Sequence, residues 1–305
     1  MDSLLVILGP TAVGKTKIAI KVALQLKGEI ISADSMQVYR HLNIGTAKPM
    51  LAERKTVPHH HIDIADPWER YNVVRFQREV NKLIPNIIHR GRKPMLVGGT
   101  GLYISAVVDN YDFSPDGANQ LIRYQLTNKA AQLGPQFLHK KLARVDPIAA
   151  QKIQPTDTRR LVRALEVSTY GRLFSASGKG PVLYRVVQIG LKRERSKLYE
   201  AINQRVEEMF NAGLVNEAKW LFKQGLPEDL PALQALGYKE IFPYLRNEAT
   251  IDEVKENLKR HTRRLAKRQL TWFRRDNRII WLDCDQYSTE QALADQIVRI
   301  AEGKL

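Results

Sequence analysis

One short motif near the start of the chain constrains its fold more than any other feature. Residues 9–16, Gly-Pro-Thr-Ala-Val-Gly-Lys-Thr, fit the phosphate-binding loop pattern G-x-x-x-x-G-K-[ST] at every defined position. Residues 4–8 are all apolar, as expected for a buried parallel strand, and apolar residues recur at helical spacing after the loop. The sequence therefore predicts a P-loop, NTPase-like α/β fold in which helices flank a parallel sheet.

The chemistry of this loop suits a diphosphate or a triphosphate. Glycines let backbone N–H groups close around phosphate oxygens, and the N-terminus of the following helix adds partial positive charge. Lys15 supplies a full positive charge, and the Thr16 hydroxyl can hold Mg²⁺. The motif leaves open whether the phosphates belong to a nucleotide such as ATP. The predicted diphosphate-binding residues are Gly9, Pro10, Thr11, Ala12, Val13, Gly14, Lys15 and Thr16.

Two further segments are predicted at the same edge of the sheet. Asp34 follows the strand-like residues 29–33, and residues 98–101, which include Thr100, follow another apolar run. In such folds ligands bind at the carboxyl ends of the parallel strands. Asp34 could hold Mg²⁺ through water, act as a general base, or merely cap the following turn. We therefore expect Lys15, Asp34 and Thr100 to share one crevice.

The charge of the chain points to a polyanionic partner. The sequence has 48 Lys and Arg against 32 Asp and Glu, a formal charge of +16, which favours nucleic acid first and an acidic membrane surface second. The helix predicted from Ile251 is dense in Lys and Arg and holds very few acids. Residues 112–182 break the alternation of strands and helices, and their arginine cluster is either a solvated face or a nucleic-acid surface. We predict a catalytic core over 1–111 and 183–305 with a mainly helical insertion domain over 112–182.

The sequence contains no stretch of the ~20 apolar residues that span a membrane. The apolar run at residues 4–8 is too short for the core of a signal peptide. The single cysteine, Cys284, excludes an internal disulfide and a cysteine-based zinc site. Three successive histidines, at 59–61, cannot all face one metal from a strand or a helix. We expect a cytoplasmic protein that does not bind membranes.

In combination, these motifs resemble those of the tRNA dimethylallyltransferases, also called tRNA isopentenyltransferases. The resemblance spans nearly the whole chain and rests on the order of many motifs, each of which would be weak alone. The motifs are residues 9–16, 34–39, 44–49, 59–61 with 63–67, 98–103, 146–153, 159–167, 234–239, and 268–269 with 272–275.

The resemblance implies a P-loop fold whose helical insertion grips the anticodon stem-loop of tRNA. It also implies transfer of a dimethylallyl group from dimethylallyl diphosphate to N6 of the adenosine 3′ to the anticodon, tRNA position 37, with Mg²⁺ as cofactor. The phosphate loop would then hold a leaving diphosphate instead of the phosphates of a nucleotide. We expect the protein to act as a monomer.

Several residues match positions with known roles in that family. Asp34 matches the catalytic base, Arg205 the arginine that stabilises the diphosphate, and Thr100 the threonine beside the target nucleotide. Gln37 matches the residue that contacts the adenine. The other tRNA-binding residues implied by the resemblance, which also include Asp34 and Thr100, are Ser35, Met36, Arg123, Arg159, Arg160, Leu161, Val162, Arg163, Gly237, Tyr238 and Lys239.

Some positions depart from the usual pattern of the family. His61 stands where an aliphatic residue is common, and Val73-Val74 replaces smaller residues. Pro85 is expected to kink or interrupt the helix predicted from Val73.

Two other functions stay open at this point. A small-molecule or nucleoside kinase would bind ATP at the same loop, with Asp34 as a possible Mg²⁺ ligand. A small substrate, however, needs neither a basic helix nor an arginine-bearing insertion. A non-catalytic RNA-binding protein would retain the loop only as a relict.

Overall fold

The computed structural model describes residues 1–113, 119–176 and 178–304. Residues 114–118, Ser177 and Leu305, which fall within the two predicted domains, lie outside the described residues. The chain divides into two compact units, one made of Met1–Val108 with Val182–Leu305 and the other of Asp109–Pro181. The first unit contains the phosphate loop, and the second contains the arginine cluster.

A parallel sheet forms the centre of the first unit. The strands are β1 (Ser3–Leu8), β2 (Gly28–Ala33), β3 (His59–His60), β4 (Lys93–Gly98), β5 (Arg185–Lys192) and β6 (Ile279–Asp283). Within the described residues these six strands pair in the order β3-β2-β4-β1-β5-β6, and every pair is parallel. Each connection between successive strands contains at least one helix, as is usual for parallel pairing. The predicted α/β fold class is confirmed.

Among the described residues, helices lie between successive strands of the sheet, four of them within the insertion between β4 and β5. They are α1 (Lys15–Leu26), α2 (Leu51–Thr56), α3 (Val73–His89), α4 (Gly101–Val108), α5 (Gln120–Leu133), α6 (Pro135–Val145), α7 (Pro147–Lys152), α8 (Thr158–Ser168), α9 (Arg195–Asn211), α10 (Leu214–Lys223), α11 (Phe242–Leu245), α12 (Ile251–Phe273) and α13 (Glu290–Lys304). Helices α5 to α8 belong to the second unit, which has a core of its own.

The central position of β1 explains why residues 4–8 are all apolar. Successive side chains of a strand point to opposite faces of the sheet, and both faces of this strand are covered. Leu4 and Val6 pack in one buried cluster, whereas Leu5 and Ile7 pack in another, which includes residues of α1. The sheet is therefore buried on both sides along its central strand, and it forms a fixed base for the loops that follow β1, β2 and β4.

Helix α3 continues through Pro85, so the expected interruption is wrong. A proline inside a helix removes one backbone hydrogen bond. The apolar stripe of α3 stays buried over its whole length, with Phe76 and Val80 before the proline and Ile84 and Ile87 around it. Packing of this stripe outweighs the loss of the single bond, because most helical stability in proteins comes from tertiary contacts.

None of the helices in the described part of the chain is both long enough and apolar enough to cross a membrane.

Candidate active site

Three loops meet at one edge of the sheet because three neighbouring strands end at the same level. Leu8 of β1 is in register with Gly98 of β4, and Gly98 is in register with Ala33 of β2. The residues that follow these strands therefore begin three adjacent loops. The phosphate loop follows β1, the loop of Asp34 follows β2, and the loop of Thr100 follows β4.

These loops border a cavity of about 590 Å³. Lys15, Thr16, Asp34, Thr100 and Arg205 all line it. The crevice that the strand order predicts for Lys15, Asp34 and Thr100 is therefore present, and α9 adds Arg205 to it. Other predicted site residues that line the same cavity are Thr11, Ser35, Met36, Gln37, Gly237 and Lys239.

Lys15 has no acidic partner in the described residues, and its ammonium group instead donates to the carbonyl oxygen of Pro10 at 2.7 Å. Burial and, to a smaller extent, the positive charge of Arg205 lower the pKa of Lys15 to about 8, although the Asp34 carboxylate opposes the shift. The environment of Lys15 thus disfavours its charged form. An anion bound in the cavity would stabilise that charge.

Arg205 is a further cation of the cavity, which Lys239 and Arg268 also line. It is half-buried on α9, burial lowers the pKa of its guanidinium, and its Nη1 lies 3.5 Å from the hydroxyl oxygen of Thr11. Arg205 forms no salt bridge with any residue that the structure describes. Two cations without carboxylate partners in one cavity are the electrostatic signature of an anion site.

One oxygen of Asp34 caps the turn that follows it. Oδ1 accepts hydrogen bonds from the backbone N–H groups of Met36 and Gln37, at 2.8 and 3.4 Å. Turn capping, one of the three uses open to Asp34, is therefore present. Capping uses only one oxygen of the carboxylate, since Oδ2 has no hydrogen-bond partner among the described side chains and backbone groups. The capping bonds fix the orientation of the side chain and leave its second oxygen available at the cavity.

Thr100 is tied to the same turn. Its hydroxyl oxygen accepts a hydrogen bond from the backbone N–H of Ser35 at 3.1 Å and lies 3.4 Å from the Ser35 hydroxyl. The backbone N–H of Thr100 donates to the carbonyl oxygen of Ala33 at 3.1 Å. The loops after β2 and β4 are therefore fastened together directly beside Asp34.

The side chain of Gln37 is used at both ends within the protein. Its Oε1 accepts from the Ser32 hydroxyl at 2.9 Å, and its Nε2 donates to the carbonyl oxygens of Thr46 and Ala47 at 3.2 and 3.3 Å. Gln37 lines the cavity, but a contact with adenine requires it to exchange some of these bonds. In this structure Gln37 links the segment of Thr46 and Ala47 to Ser32 of β2.

Three predicted tRNA contacts must be corrected for their side chains. Tyr238 is 0% exposed, and its hydroxyl donates to Glu217 at 2.7 Å, so that only its neighbours Gly237 and Lys239 line the cavity. Leu161 and Val162 are 0% and 6% exposed and pack in the core of the second unit. These side chains are enclosed by protein and leave no surface for RNA.

The arginine cluster of the second unit has two different parts. Arg123 and Arg163 both bind the carboxylate of Glu166, at 2.9 and 2.6 Å, and Glu166 is fully buried. Although burial raises the pKa of Glu166, the hydrogen bonds from the two arginines hold that pKa below its usual value. Arg159 and Arg160 are exposed and have no acidic partner among the described residues. The latter two remain the predicted RNA contacts with the clearest access.

The basic face of α12 is partly neutralised by a helix next to it. Glu207 of α9 accepts from Lys255 at 3.0 Å and from Lys259 at 2.7 Å. The expectation from the sequence counts only the acidic residues within α12, whereas part of the positive charge of α12 is neutralised by Glu207 of α9. Arg264 and Lys267, nearer its C-terminal end, are exposed and form no salt bridge with a described residue.

The histidines and the cysteine have structural partners. His60 binds the buried Glu29 at 2.7 Å, and His61 is buried beside Glu79. His59 lines the cavity. The Cys284 sulfur lies 3.9 Å from the carbonyl oxygen of Val13, and burial raises the pKa of its thiol to about 11. The thiol is therefore protonated at neutral pH and packs against the phosphate loop.

No role is predicted for Gln269 from the sequence, although the structure places it at the cavity between two of the loops. The backbone N–H of Thr11 donates to Gln269 Oε1, and Gln269 Nε2 donates to the carbonyl oxygen of Gly99. A contact between residues more than 160 positions apart has no local signal. Its membership of the motif at residues 268–269 is the one sequence signal for it, and that motif does not say what its side chain contacts.

Comparison with known proteins agrees with the predicted fold and with the predicted family. A family model described as IPP transferase matches residues 37–276. The tRNA dimethylallyltransferase of Carboxydothermus hydrogenoformans is 49% identical over 295 residues, which cover 95% of this chain and 94% of that protein.

Solved structures give the same result. The full-length tRNA isopentenylpyrophosphate transferase from Bacillus halodurans aligns with a TM-score of 0.76 and 44% identity, covering 100% of this chain and 97% of that one. A eukaryotic dimethylallyltransferase acting on tRNA aligns with a TM-score of 0.80 and 27% identity, covering 99% of this chain and 79% of that one. These relatives are transferases, which speaks against the kinase hypothesis. The chain belongs to the tRNA dimethylallyltransferase family.

Proposed function

We propose that this protein transfers a dimethylallyl group from dimethylallyl diphosphate to N6 of the adenosine 3′ to the anticodon of tRNA, at position 37. The products are N6-dimethylallyladenosine and diphosphate. The observation that carries the proposal is one cavity in which Lys15 and Arg205, two cations with no acidic partner among the described residues, lie with the carboxylate of Asp34. An anion site and a proton acceptor at one opening are what this reaction needs.

The donor half of the reaction uses the phosphate loop. As the allylic C–O bond breaks, the carbon becomes cation-like and negative charge accumulates on the diphosphate. Lys15, Arg205 and the backbone N–H groups of the loop can stabilise that charge. Lys15 exchanges its bond to the Pro10 carbonyl for a bond to a phosphate oxygen.

The acceptor half of the reaction depends on Asp34. The exocyclic amine of adenine is a poor nucleophile because its lone pair is delocalised into the ring, so removal of its proton during attack helps the reaction. Asp34 Oδ2 is the group proposed to take this proton, while Oδ1 keeps the carboxylate in place through its bonds to the turn. The adenine must leave its stack to enter the cavity, and Thr100 and Gln37 are proposed to contact the extruded nucleotide.

Mg²⁺ fits the donor set of the cavity. The described residues contain no group of three or more His, Cys, Asp or Glu that could hold a metal by themselves. Mg²⁺ commonly binds through few protein ligands together with water and substrate phosphates. The Thr16 hydroxyl would hold it. When bound, the ion would neutralise charge on the diphosphate oxygens.

The partner and the location follow from the same proposal. Basic side chains without acidic partners among the described residues, such as Arg159, Arg160 and Arg264, suit the phosphate backbone of the anticodon stem-loop. Since one chain supplies Lys15 and Arg205 as well as Asp34, we propose that the protein works as a monomer, in the cytoplasm.

The test is a transfer assay with purified protein, Mg²⁺, radiolabelled dimethylallyl diphosphate and unmodified tRNA, followed by mass spectrometry of the nucleosides. Dimethylallyladenosine is expected at position 37, and none with tRNA in which that adenosine is replaced by guanosine. Asp34→Asn should lose turnover and keep most of its affinity for tRNA. Transfer of label from γ-labelled ATP, with none from the prenyl donor, would show a kinase instead. Binding of tRNA without any transfer would show a non-catalytic RNA-binding protein.

A further inference from the structure

We propose that Gln269 is a positioning residue, whose single side-chain amide fixes the diphosphate site relative to the loop that carries Thr100. The inference rests on the proposed transfer reaction. Gln269 lies on α12, a helix that belongs to neither loop. Its carbonyl oxygen accepts from the backbone N–H of Thr11 at 2.8 Å, and its amide nitrogen donates to the carbonyl oxygen of Gly99 at 3.0 Å.

Both hydrogen bonds have good length, and both go to backbone atoms. Such bonds fix the path of the chain more directly than a bond between two mobile side chains. Thr11 is part of the phosphate loop, and Gly99 directly precedes Thr100. Gln269 therefore adds a direct link between the loop that holds the leaving diphosphate and the loop that carries Thr100, above the paired strands from which both loops start.

The glycines of the second loop make room for this contact. A Cβ atom on Gly99 would lie 2.4 Å from the Nε2 of Gln269, which is closer than real Cβ atoms approach other atoms. A Cβ atom on Gly101 would lie 2.4 Å from the Cδ1 of Trp272. Gln269 and Trp272 are three residues apart and so share one face of α12. This glycine-rich turn thus admits the side chains of a helix, besides opening α4 as the sequence predicts.

Trp272 also packs α12 against the segment that follows β4. Its indole nitrogen lies 3.4 Å from the hydroxyl oxygen of Ser105 on α4, a weak hydrogen bond, and its ring covers Gly101. Trp272 holds the end of α12 on α4, whereas Gln269 is hydrogen-bonded to the phosphate loop. A change at Gln269 should therefore disturb the alignment of the two loops without detaching the helix.

The consequence for the reaction is a loss of alignment with little loss of binding. The lysine, the arginine and the remaining loop amides can still hold a diphosphate when Gln269 is absent. The reacting carbon and the adenine nitrogen would no longer be held in register, and a misplacement of about 1 Å can cost about 100-fold in rate. We expect Gln269→Leu to lower kcat by about 10- to 100-fold, while the KM for dimethylallyl diphosphate changes less than about threefold.

The experiment compares the wild type with Gln269→Leu, Gln269→Glu and the matched control Gln291→Leu. Gln291 is an exposed glutamine of α13 whose side chain donates to Asp295, away from the cavity residues. Four quantities are measured for each: kcat, the KM for the donor, the Kd of inorganic diphosphate, and the amide exchange rate of Thr11 by NMR. Gln269→Glu keeps the acceptor for Thr11 and loses the donor for Gly99. It should therefore protect the Thr11 amide and still show a lowered kcat.

The expected result is a lowered kcat in both Gln269 variants, a Kd of diphosphate near that of the wild type in Gln269→Leu, and faster exchange of Thr11 in Gln269→Leu alone. The inference is overturned if kcat of Gln269→Leu stays within twofold of the control, if its Kd of diphosphate weakens in parallel with kcat, or if Thr11 keeps its protection. If the wild type transfers nothing, the proposed function is rejected. The exchange and Kd measurements would still test whether Gln269 links the two loops.

Discussion

Raising the pH is expected to weaken the capture of dimethylallyl diphosphate, because the lysine of the phosphate loop loses its proton unusually early. Burial and the charge of Arg205 lower the pKa of Lys15 from 10.5 to about 8. Only the charged amine attracts a diphosphate. The affinity for the donor is therefore expected to be high below pH 8 and to decline above it.

The size of the effect follows from the fraction of charged amine. With a pKa of about 8, roughly nine-tenths of the free enzyme carries a charged Lys15 at pH 7, and roughly one-tenth does at pH 9. Since kcat/KM for the donor reports groups of the free enzyme, it should fall about tenfold over this range. The bound diphosphate restores the charge on Lys15, so kcat at saturating donor should fall less.

The assay measures initial rates at low dimethylallyl diphosphate and saturating tRNA between pH 6.5 and pH 10. Other groups of the loop do not confuse the result. Burial raises the pKa of Cys284 to about 11, and the guanidinium of Arg205 stays charged throughout. The matched variant is Lys15→Arg, whose charge does not titrate. It should give a lower rate with a flat profile. A flat profile in the wild type, or the same tenfold fall in Lys15→Arg, would refute the reasoning.

Three further results are expected from the described contacts. His61 is 7% exposed, its ring nitrogens have no hydrogen-bond partner among the described residues, and burial lowers its pKa to about 4. As the pH falls from 6.5 to 4 the unfolded chain takes up a proton that the folded chain refuses, which costs about 3 kcal/mol of stability; urea unfolding of His61→Leu should show a higher midpoint at pH 5 and a smaller pH dependence. Glu166→Gln leaves two arginines around a buried neutral amide, so the second unit should lose about 3 kcal/mol, and unchanged hydrogen exchange of α8 would contradict this. Arg159→Ala and Arg160→Ala should each weaken tRNA binding and reduce the salt slope of log K by about 1, with an unchanged melting temperature because both side chains are exposed.

The central part of the fold and of the site is predictable from the sequence because its signals are local. The phosphate loop carries its own pattern and lies between an apolar strand and an amphipathic helix. Asp34 and Thr100 follow apolar runs, and parallel strands bring such positions to one edge. A one-dimensional pattern therefore locates these side chains, provided that the strands are parallel and adjacent, as they are here.

The parts that the sequence does not predict depend on contacts between distant residues. Gln269 and the phosphate loop are 258 positions apart. Glu166 looks like an ordinary helical glutamate until the fold buries it between two arginines. Tyr238 belongs to a family motif, yet it is buried and bonded to Glu217. Motif membership shows that a residue matters to the protein and does not tell whether its side chain faces a substrate or the core.

The strand β3 is only two residues long, and it forms one border of the parallel sheet. A long open border would offer a row of free amides and carbonyls on which another chain could template a further strand. With His59 and His60 as the whole of that border strand, intermolecular pairing there can gain only a few hydrogen bonds. The brevity of β3 should thus guard the native sheet against aggregation through this side.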